Sequence, residues 1–453
     1  RPKVGAFSPK AVKAAVPYVS EVMQRHGWRP QSCDHLLIHQ TSESSLNDAM
    51  LAINRVFGKS AAHPGNTIFN LAERGNTAST SHFVALKDHI LGNRIQSGDR
   101  TVFGISGSGQ TVGAALYTFD DLPDRLRRAD RVHGTGGDLR RPRSSGGRSR
   151  RDLPRPQRVR IAGIGTAVND GTDRSGSVEL AVRAARAGLR DSGIDPAVVG
   201  LLIHAGVYRD EFVSEPAIAA FLAGELGLND DIRSPDGPKT LAFDVLNGAV
   251  GFLNACQVAG ELLAAGDVQG ALVVASEIEN NDTGSAHHGL PLLGITEMGS
   301  AVVLGSGDGT VGFGQFVFHH HPEHADALTT YTRNRHGRTW LQIDWDPKLT
   351  AHYLDCIPAT VEELLQTEGL APTDIAAVFP PFLPVADRAE LAGRLNLSSS
   401  LFVDLPVDAD PFSSALPYGL QVATGQGLVR SGDIGLIITV GSGLQVGCTT
   451  YRF

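Results

Sequence analysis

The sequence predicts an α/β protein built of layered strands and helices, and three observations carry that expectation. Strand-like and helix-like stretches alternate along most of the 453 residues, the pattern that builds helix-covered sheets. Glycine is abundant, with 52 residues, while aromatic residues make up only 6%, as suits close helix–sheet packing. Most tellingly, one glycine-rich strand pair occurs twice. Residues 97–113 read SGDRTVFGISGSGQTVG and residues 431–447 read SGDIGLIITVGSGLQVG. At the single offset 431 − 97 = 334, eight of the seventeen positions are identical without a gap, which marks a repeated unit. Each copy has a Ser-Gly-Asp turn, an apolar strand, a glycine-rich bend and a second apolar strand. Glycine at such a bend lets backbone N–H groups approach a ligand closely.

Length alone suggests two to four domains, and 42% hydrophobic with 19% charged residues is a globular composition. A net charge of −8 argues against nucleic-acid binding. We read no apolar run near the ~18 residues a membrane span needs, and no signal peptide. Cys33, Cys256, Cys356 and Cys448 are widely spread; they imply neither a disulfide framework nor a zinc site, and point to reducing cytosol. The chain begins at Arg1, in front of a helical pattern, which reads as the tail of something longer.

Residues 9–26 carry apolar positions at helical spacing, and Gly27 follows as a stop. The short strand HLLI runs into His39-Gln40, residues 42–57 read as a helix, and Gly75-Asn76-Thr77 forms a turn feeding another helix. The first glycine-rich copy and a closing strand, AALYTF, complete this unit.

A helix ending in glycine, twelve residues to His39-Gln40, a G-N-T-x-x-x-S turn at 75–81 and a glycine bend ending V-G-A-A-L together resemble the C-terminal half of a 3-oxoacyl-ACP synthase III, one of the thiolase-like condensing enzymes. The resemblance covers residues 4–119; the family's P-H-Q-A-N is here I-H-Q-T-S. It implies a thiolase-like layered αβαβα fold with mixed five-stranded sheets, and no cofactor. It also implies the chemistry. A cysteine thiolate accepts an acyl group as a thioester, malonyl-ACP is decarboxylated, and the carbanion attacks the thioester. By this resemblance His39 and Asn76 donate hydrogen bonds to the developing enolate, and the backbone N–H of Ser108 serves the acyl-enzyme oxyanion. The family's cysteine belongs to an N-terminal half that residues 1–120 lack. Cys33, in the loop before His39, is no substitute. Read as residues alone, His39 also fits a half-buried histidine at a strand end, and Asn76 a turn or cap residue.

Residues 121–158 are rich in Arg, Gly, Pro and Ser with few apolar residues and read as a flexible basic linker. Residues 159–453 then resemble a complete but degenerate subunit, divided into halves 159–308 and 309–453. TLAFDVLNGAVGF matches the family's nucleophile segment F-D-V-x-x-A-C-A-G-F, and the cysteine position falls on Ala249. Cys256, two turns further along that helix, reads as a core thiol. Counting twelve from Gly369, as from Gly27 to His39, lands on Pro381 within a residue or two, and the 334 offset carries Asn76 to Asp410. All three catalytic positions are replaced, so this unit reads as a pseudo-subunit. The run His319-His320-His321 with Glu323 and His324 lacks a second ligand pair at orderly spacing and reads as a surface cluster, not a metal site. Asp344, Asp346, Glu362 and Glu363 read as solvated ends and loops.

One and a half subunits in tandem are therefore expected. The implied partners are acyl-CoA or acyl-carrier-protein thioesters, with a dimer or an internal pseudo-dimer as the assembly. Three functions are carried forward: decarboxylative condensation, an inactive scaffold or carrier-binding partner, and a non-decarboxylating acyltransferase forming esters or amides. Fatty-acid and secondary-metabolite routes both remain open.

Overall fold

The structure, a computed structural model, describes residues 8–40, 42–75, 80–107, 111–133, 159–169, 175–228, 239–282 and 290–453. These fall into two compact units, one within residues 1–152 and one within residues 153–453.

The first unit runs α1 (Ser8–Arg25), β1 (His35–Ile38), α2 (Glu43–Phe57), β2 (Thr67–Ile68), α3 (Leu71–Arg74), α4 (Ser81–Leu91), β3 (Arg100–Gly107), β4 (Thr111–Thr118) and α5 (Leu122–His133). Ser42 caps α2 by accepting from the Ser45 N–H at 3.2 Å, satisfying a donor the helix leaves free. The sheet order is β2-β1-β3-β4, parallel except for the β3–β4 hairpin. Leu37, Ile68, Ala85, Ile90 and Ile95 form the core beneath α4. The linker expectation needs correction at its start, because residues 122–133 are the helix α5. Leu122 and Leu126 pack on that core, and Arg127 donates to the Ile90 and Ile95 carbonyls at 3.1 and 2.9 Å. Residues 134–158 lie outside the described residues.

The second unit contains β5 (Val159–Val168), α6 (Ser177–Ser192), β6 (Val199–His204), α7 (Ile218–Glu225), β7 (Leu241–Asp244), α8 (Gly251–Ala265), β8 (Gly270–Glu277) and β9 (Met298–Ser306). It continues with β10 (Gly312–His320), β11 (Leu328–Arg335), β12 (Arg338–Trp345), α9 (Leu349–Glu368), β13 (Ile375–Phe379), α10 (Val385–Arg394), α11 (Ala415–Gly425), β14 (Ile434–Gly441) and β15 (Gln445–Arg452). One mixed sheet has the order β5-β9-β8-β6-β7, the other β10-β15-β14-β13, and β11–β12 is a separate hairpin. Three cores define five layers. Helices α6 and α7 cover the outer face of the first sheet. Helices α8 and α11 fill the space between the sheets. Helices α9 and α10 cover the outer face of the second sheet. Helix α6 lies so close to its sheet that a Cβ on Gly165 would collide with the Ala184 carbonyl and the Gly188 amide.

Two expectations change here. The second sheet has four strands, not five, because the fifth contributes only the single bridge Val378–Phe402; the short helix at Ser399–Leu401 and Pro406 leave it no length. The stretch Gly248–Ala265 is long and apolar enough to cross a membrane by length and composition. It is nonetheless a helix of the core, where Phe252, Leu253, Cys256, Ala259 and Leu263 are all buried while Val258 and Glu261 on its other face are exposed.

The repeat extends well beyond the matched seventeen residues. Helix α4, shifted by 334, coincides with α11, and the pairing Arg100–Thr118 of β3–β4 becomes Ile434–Arg452 of β14–β15.

Candidate functional site

In the first unit the site forms where β1 ends. His39 follows the last strand residue, and its N–H donates to the Gly104 carbonyl of β3 at 3.0 Å. The next residue, Gln40, is 1% exposed and ties the neighbourhood together. Its side-chain amide donates to Asn70 Oδ1 at 2.9 Å and to the Ser81 carbonyl at 3.2 Å, while its Oε1 accepts from the Asn70 N–H at 3.0 Å. Asn70 in turn donates to Asp88 at 2.6 Å, and Asp88 pairs with Arg74 at 3.0 Å. A buried glutamine with these bonds made fixes the strand end against the helix start.

The His39 ring is half-buried and stacks on His82, with centroids 5.6 Å apart. Burial first, and the neighbouring imidazole second, hold its pKa below the ordinary histidine value. A neutral imidazole keeps one N–H to donate and carries no charge of its own. His82, which our sequence reading did not single out, is thereby part of the site. Its ring lies 3.2 Å from the Gly104 carbonyl, and it is the residue directly after the G-N-T-x-x-x-S motif. Asn76 and Ser108 lie outside the described residues. Cys33 is no nucleophile in waiting: its thiol donates to the Arg29 carbonyl at 3.5 Å, and burial raises its pKa, which lowers the thiolate fraction.

The second unit brings Ala249, Pro381 and Asp410 to the wall of one cavity of about 260 Å³. Sheet register fixes the middle position. Val102 of β3 pairs with Leu36, and its shifted equivalent Leu436 pairs with Val378; three residues on lie His39 and Pro381. Ala249 stands just ahead of α8, after Gly248 at φ +53°, where a side chain would press on the Ser442 amide. Gly441 and Ser442, the shifted equivalents of Gly107 and Ser108, line the same cavity. Cys256 is 1% exposed in the core, and burial drives its thiol pKa up.

Asp410 accepts the Phe412 N–H at 2.8 Å through one oxygen. Enclosure by the cavity wall pushes its pKa up to about 6. Tyr353 of α9 faces the same space, and burial with the nearby Asp410 charge pushes its phenol up to about 12. Behind Ser413, whose hydroxyl donates to it, Glu277 also accepts the Val207 and Tyr208 amides; burial raises its carboxyl to about 7. Glu277 closes the VVASE strand of the matched segment, so its position was legible while its pairing was not.

The histidine run disperses into separate pairs. His319 meets Glu363 at 2.7 Å and His321 meets Glu323 at 3.6 Å. His324 stacks on His352, which meets Asp346 at 3.1 Å. Among the described residues no group of three or more His, Cys, Asp or Glu could hold a metal ion.

Comparison with known proteins accords with this geometry. The family model described as 3-oxoacyl-[acyl-carrier-protein (ACP)] synthase III C terminal matches residues 23–119. A β-ketoacyl-[acyl-carrier-protein] synthase III of Rhodospirillum centenum is 29% identical over 297 residues, covering 62% of this chain and 85% of that protein. An acyl-CoA:acyl-CoA alkyltransferase of Xanthomonas campestris is 35% identical over 102 residues, 22% of this chain and 27% of that protein. Among solved structures, 3-oxoacyl-(acyl carrier protein) synthase III of Pseudomonas aeruginosa superposes with a TM-score of 0.55 at 22% identity, covering 65% of this chain and 98% of that one. The priming β-ketosynthase of the R1128 polyketide pathway gives 0.56 at 19% identity, covering 67% and 99%. The fold is thiolase-like, and the chain is similar to 3-oxoacyl-acyl carrier protein synthase III proteins, by the family model over residues 23–119 and by the Rhodospirillum centenum relative over 62% of the chain.

Proposed function

We propose that residues 1–120 are the C-terminal half of a condensing site and that residues 159–453 are a catalytically inactive subunit, joined through the segment around 121–158. In this reading the malonyl thioester loses CO2, and the electron pair of the broken C–C bond passes to the thioester oxygen as an enolate. The Nε2–H of His39 and the side-chain N–H of Asn76 donate to that oxygen. The enolate carbon then attacks an acyl thioester held on a cysteine, the acyl oxyanion rests on the Ser108 N–H, and the thiolate departs.

The observation that carries the first part is the half-buried, charge-resisting His39 at the end of β1, tied down through Gln40. The cysteine is supplied by a companion N-terminal half, and one comparison within the chain supports this. Tyr117 is 41% exposed, whereas its shifted equivalent Tyr451 is 4% exposed and accepts the Ile161 N–H from the first sheet of its unit at 3.0 Å. Ile105 is likewise 46% exposed against 8% for Thr439. Two positions that are buried in the second unit, one of them against Ile161, are thus exposed in the first. Ala249, Pro381 and Asp410 favour the inactive-scaffold reading for the second unit, since none can form a thioester or donate as histidine does. Pairing of an active with a degenerate subunit in the manner of a dimer belongs to this reading, and the four free thiols suit a reducing cytoplasm. The donors are acyl-CoA or acyl-carrier-protein thioesters; an ester- or amide-forming variant is the alternative chemistry.

The test is release of labelled CO2 from malonyl-ACP, which requires the enolate donors and not the cysteine. The chain should release it and His39→Ala should lose at least 100-fold of that rate; equal release by the variant would sink the assignment.

A further inference from the structure

The cavity of the second unit has lost its reactive groups and acquired one that the first unit does not have. Asp410 presents a carboxylate to a cavity whose wall is aliphatic on one part, with Leu293, Ile295, Leu328 and Ile343, and carries the uncharged polar side chains of Tyr353, Ser413 and Thr439 elsewhere. One carboxylate oxygen is held by the Phe412 N–H; the other has no hydrogen-bond partner among the described residues. The buried Arg209 pairs with Asp244 at 2.7 Å. No Lys, Arg or His lines the chamber. The titratable groups that face Asp410 are Tyr353 from α9, Tyr208, and Glu277 behind Ser413, and none of them can carry positive charge. A half-buried carboxylate without a counter-charge favours an arriving cation, and the aliphatic part of the wall favours one with an apolar body.

We propose that this cavity is a binding site for a small primary ammonium ion bearing an apolar chain, its N–H groups donated to Asp410 and to the Tyr353 hydroxyl oxygen, its chain lying against the leucine and isoleucine wall. At about 260 Å³ the space falls just below the ~300 Å³ at which drug-sized pockets begin, so the ligand is a short-chain or single-ring amine. The site binds and does not react: Ala249 offers no nucleophile, and Pro381 no proton. The reading rests on the second unit being inactive as a condensing enzyme, but not on any activity of His39.

The test uses the full chain and n-hexylammonium chloride, with 1-hexanol and sodium hexanoate as shape-matched controls, by titration calorimetry. Hexylammonium should bind at pH 8 at least tenfold more tightly than either control. Its affinity should fall as the pH is lowered through about 6, where the free Asp410 carboxyl takes up its proton, by close to tenfold per pH unit. Asp410→Asn, which keeps an oxygen for the Phe412 N–H, should abolish the preference for the amine. Hexanol or hexanoate binding as well as the amine, a flat pH profile, an unchanged Asp410→Asn protein or no amine binding at all would each overturn the proposal. The pH profile needs no variant, so the proposal stays testable if Asp410→Asn misfolds. A failure here leaves CO2 release at His39 untouched, so the two readings fail separately.

Discussion

His39 and His82 lie ring over ring, their centroids 5.6 Å apart and their planes inclined by only 21°. After burial, the His82 imidazole at this spacing is the second cause opposing protonation of His39. The consequence is a His39 that stays neutral, able to donate an N–H, at pH values where an isolated histidine is already partly charged.

Replacing His82 with Gln keeps a donor for the Gly104 carbonyl and removes the second ring. The His39 midpoint, followed by NMR of the imidazole protons, should then move upward. It should remain below the ordinary value, because burial is the larger of the two causes. A downward move or no move at all would mean that the stacked pair is electrostatically idle.

Gln40 predicts a different kind of loss. Its side chain satisfies both the Asn70 N–H and the Asn70 side-chain oxygen in a buried place, so Gln40→Leu strands two polar groups at once. We expect the first unit to lose about 2–4 kcal/mol, read as earlier urea unfolding of the first unit. CO2 release should fall with it even under conditions where the unit stays folded, because His39 is the adjacent residue.

Much of this was legible in the sequence, and particular residues explain why. The 334-residue offset between Ser97 and Ser431 needed only a comparison of the chain with itself, and it carried Asn76 to Asp410 directly. Pro381 was reachable by counting from Gly369, yet only the pairing of Val378 with Leu436 removes the remaining play, because loop lengths differ between the copies while sheet register does not. Helix α5 was missed for a physical reason. Its sequence LPDRLRRADRVH has the arginine-rich composition of a linker, and its helicity rests on tertiary anchors: Leu122 and Leu126 in the core and Arg127 on two carbonyls. The membrane-like character of Gly248–Ala265 is the reverse case, since burial between two sheets selects the same residues that lipid does. His82 and Glu277 gain their roles only from partners distant in the chain, and no local pattern announces them.

Close packing of α6 gives a prediction about the second unit's stability. A methyl group at Gly165 would meet the backbone of Ala184 and Gly188, which cannot swing aside as a side chain can. Gly165→Ala should therefore cost about 1–3 kcal/mol, whereas Gly393→Ala, where α10 leaves open space around the added carbon, should be neutral or stabilise by up to about 1 kcal/mol. Paired denaturant melts of the two variants decide it, and equal midpoints would refute the close approach.

Asp410 makes the last prediction, this time for stability against pH with nothing bound. Its folded pKa, raised to about 6, stands above the 3.8 of a free aspartate. Below pH 4 the carboxyl is protonated in both the folded and the unfolded chain, so the residue contributes no difference. Between pH 4 and 6 the unfolded chain gives up its proton while the folded chain holds on, and stability falls as pH rises. Above pH 6 the loss is complete, on the order of 1–3 kcal/mol. Asn at this position cannot ionise and escapes that loss. The Asp410→Asn protein should melt with the unaltered protein at pH 4 and roughly 2–6 °C above it at pH 8. Melting below the unaltered protein at both pH values would mean that the carboxylate is compensated inside the cavity, and that Asp410 is a structural acceptor and not a charge awaiting a partner.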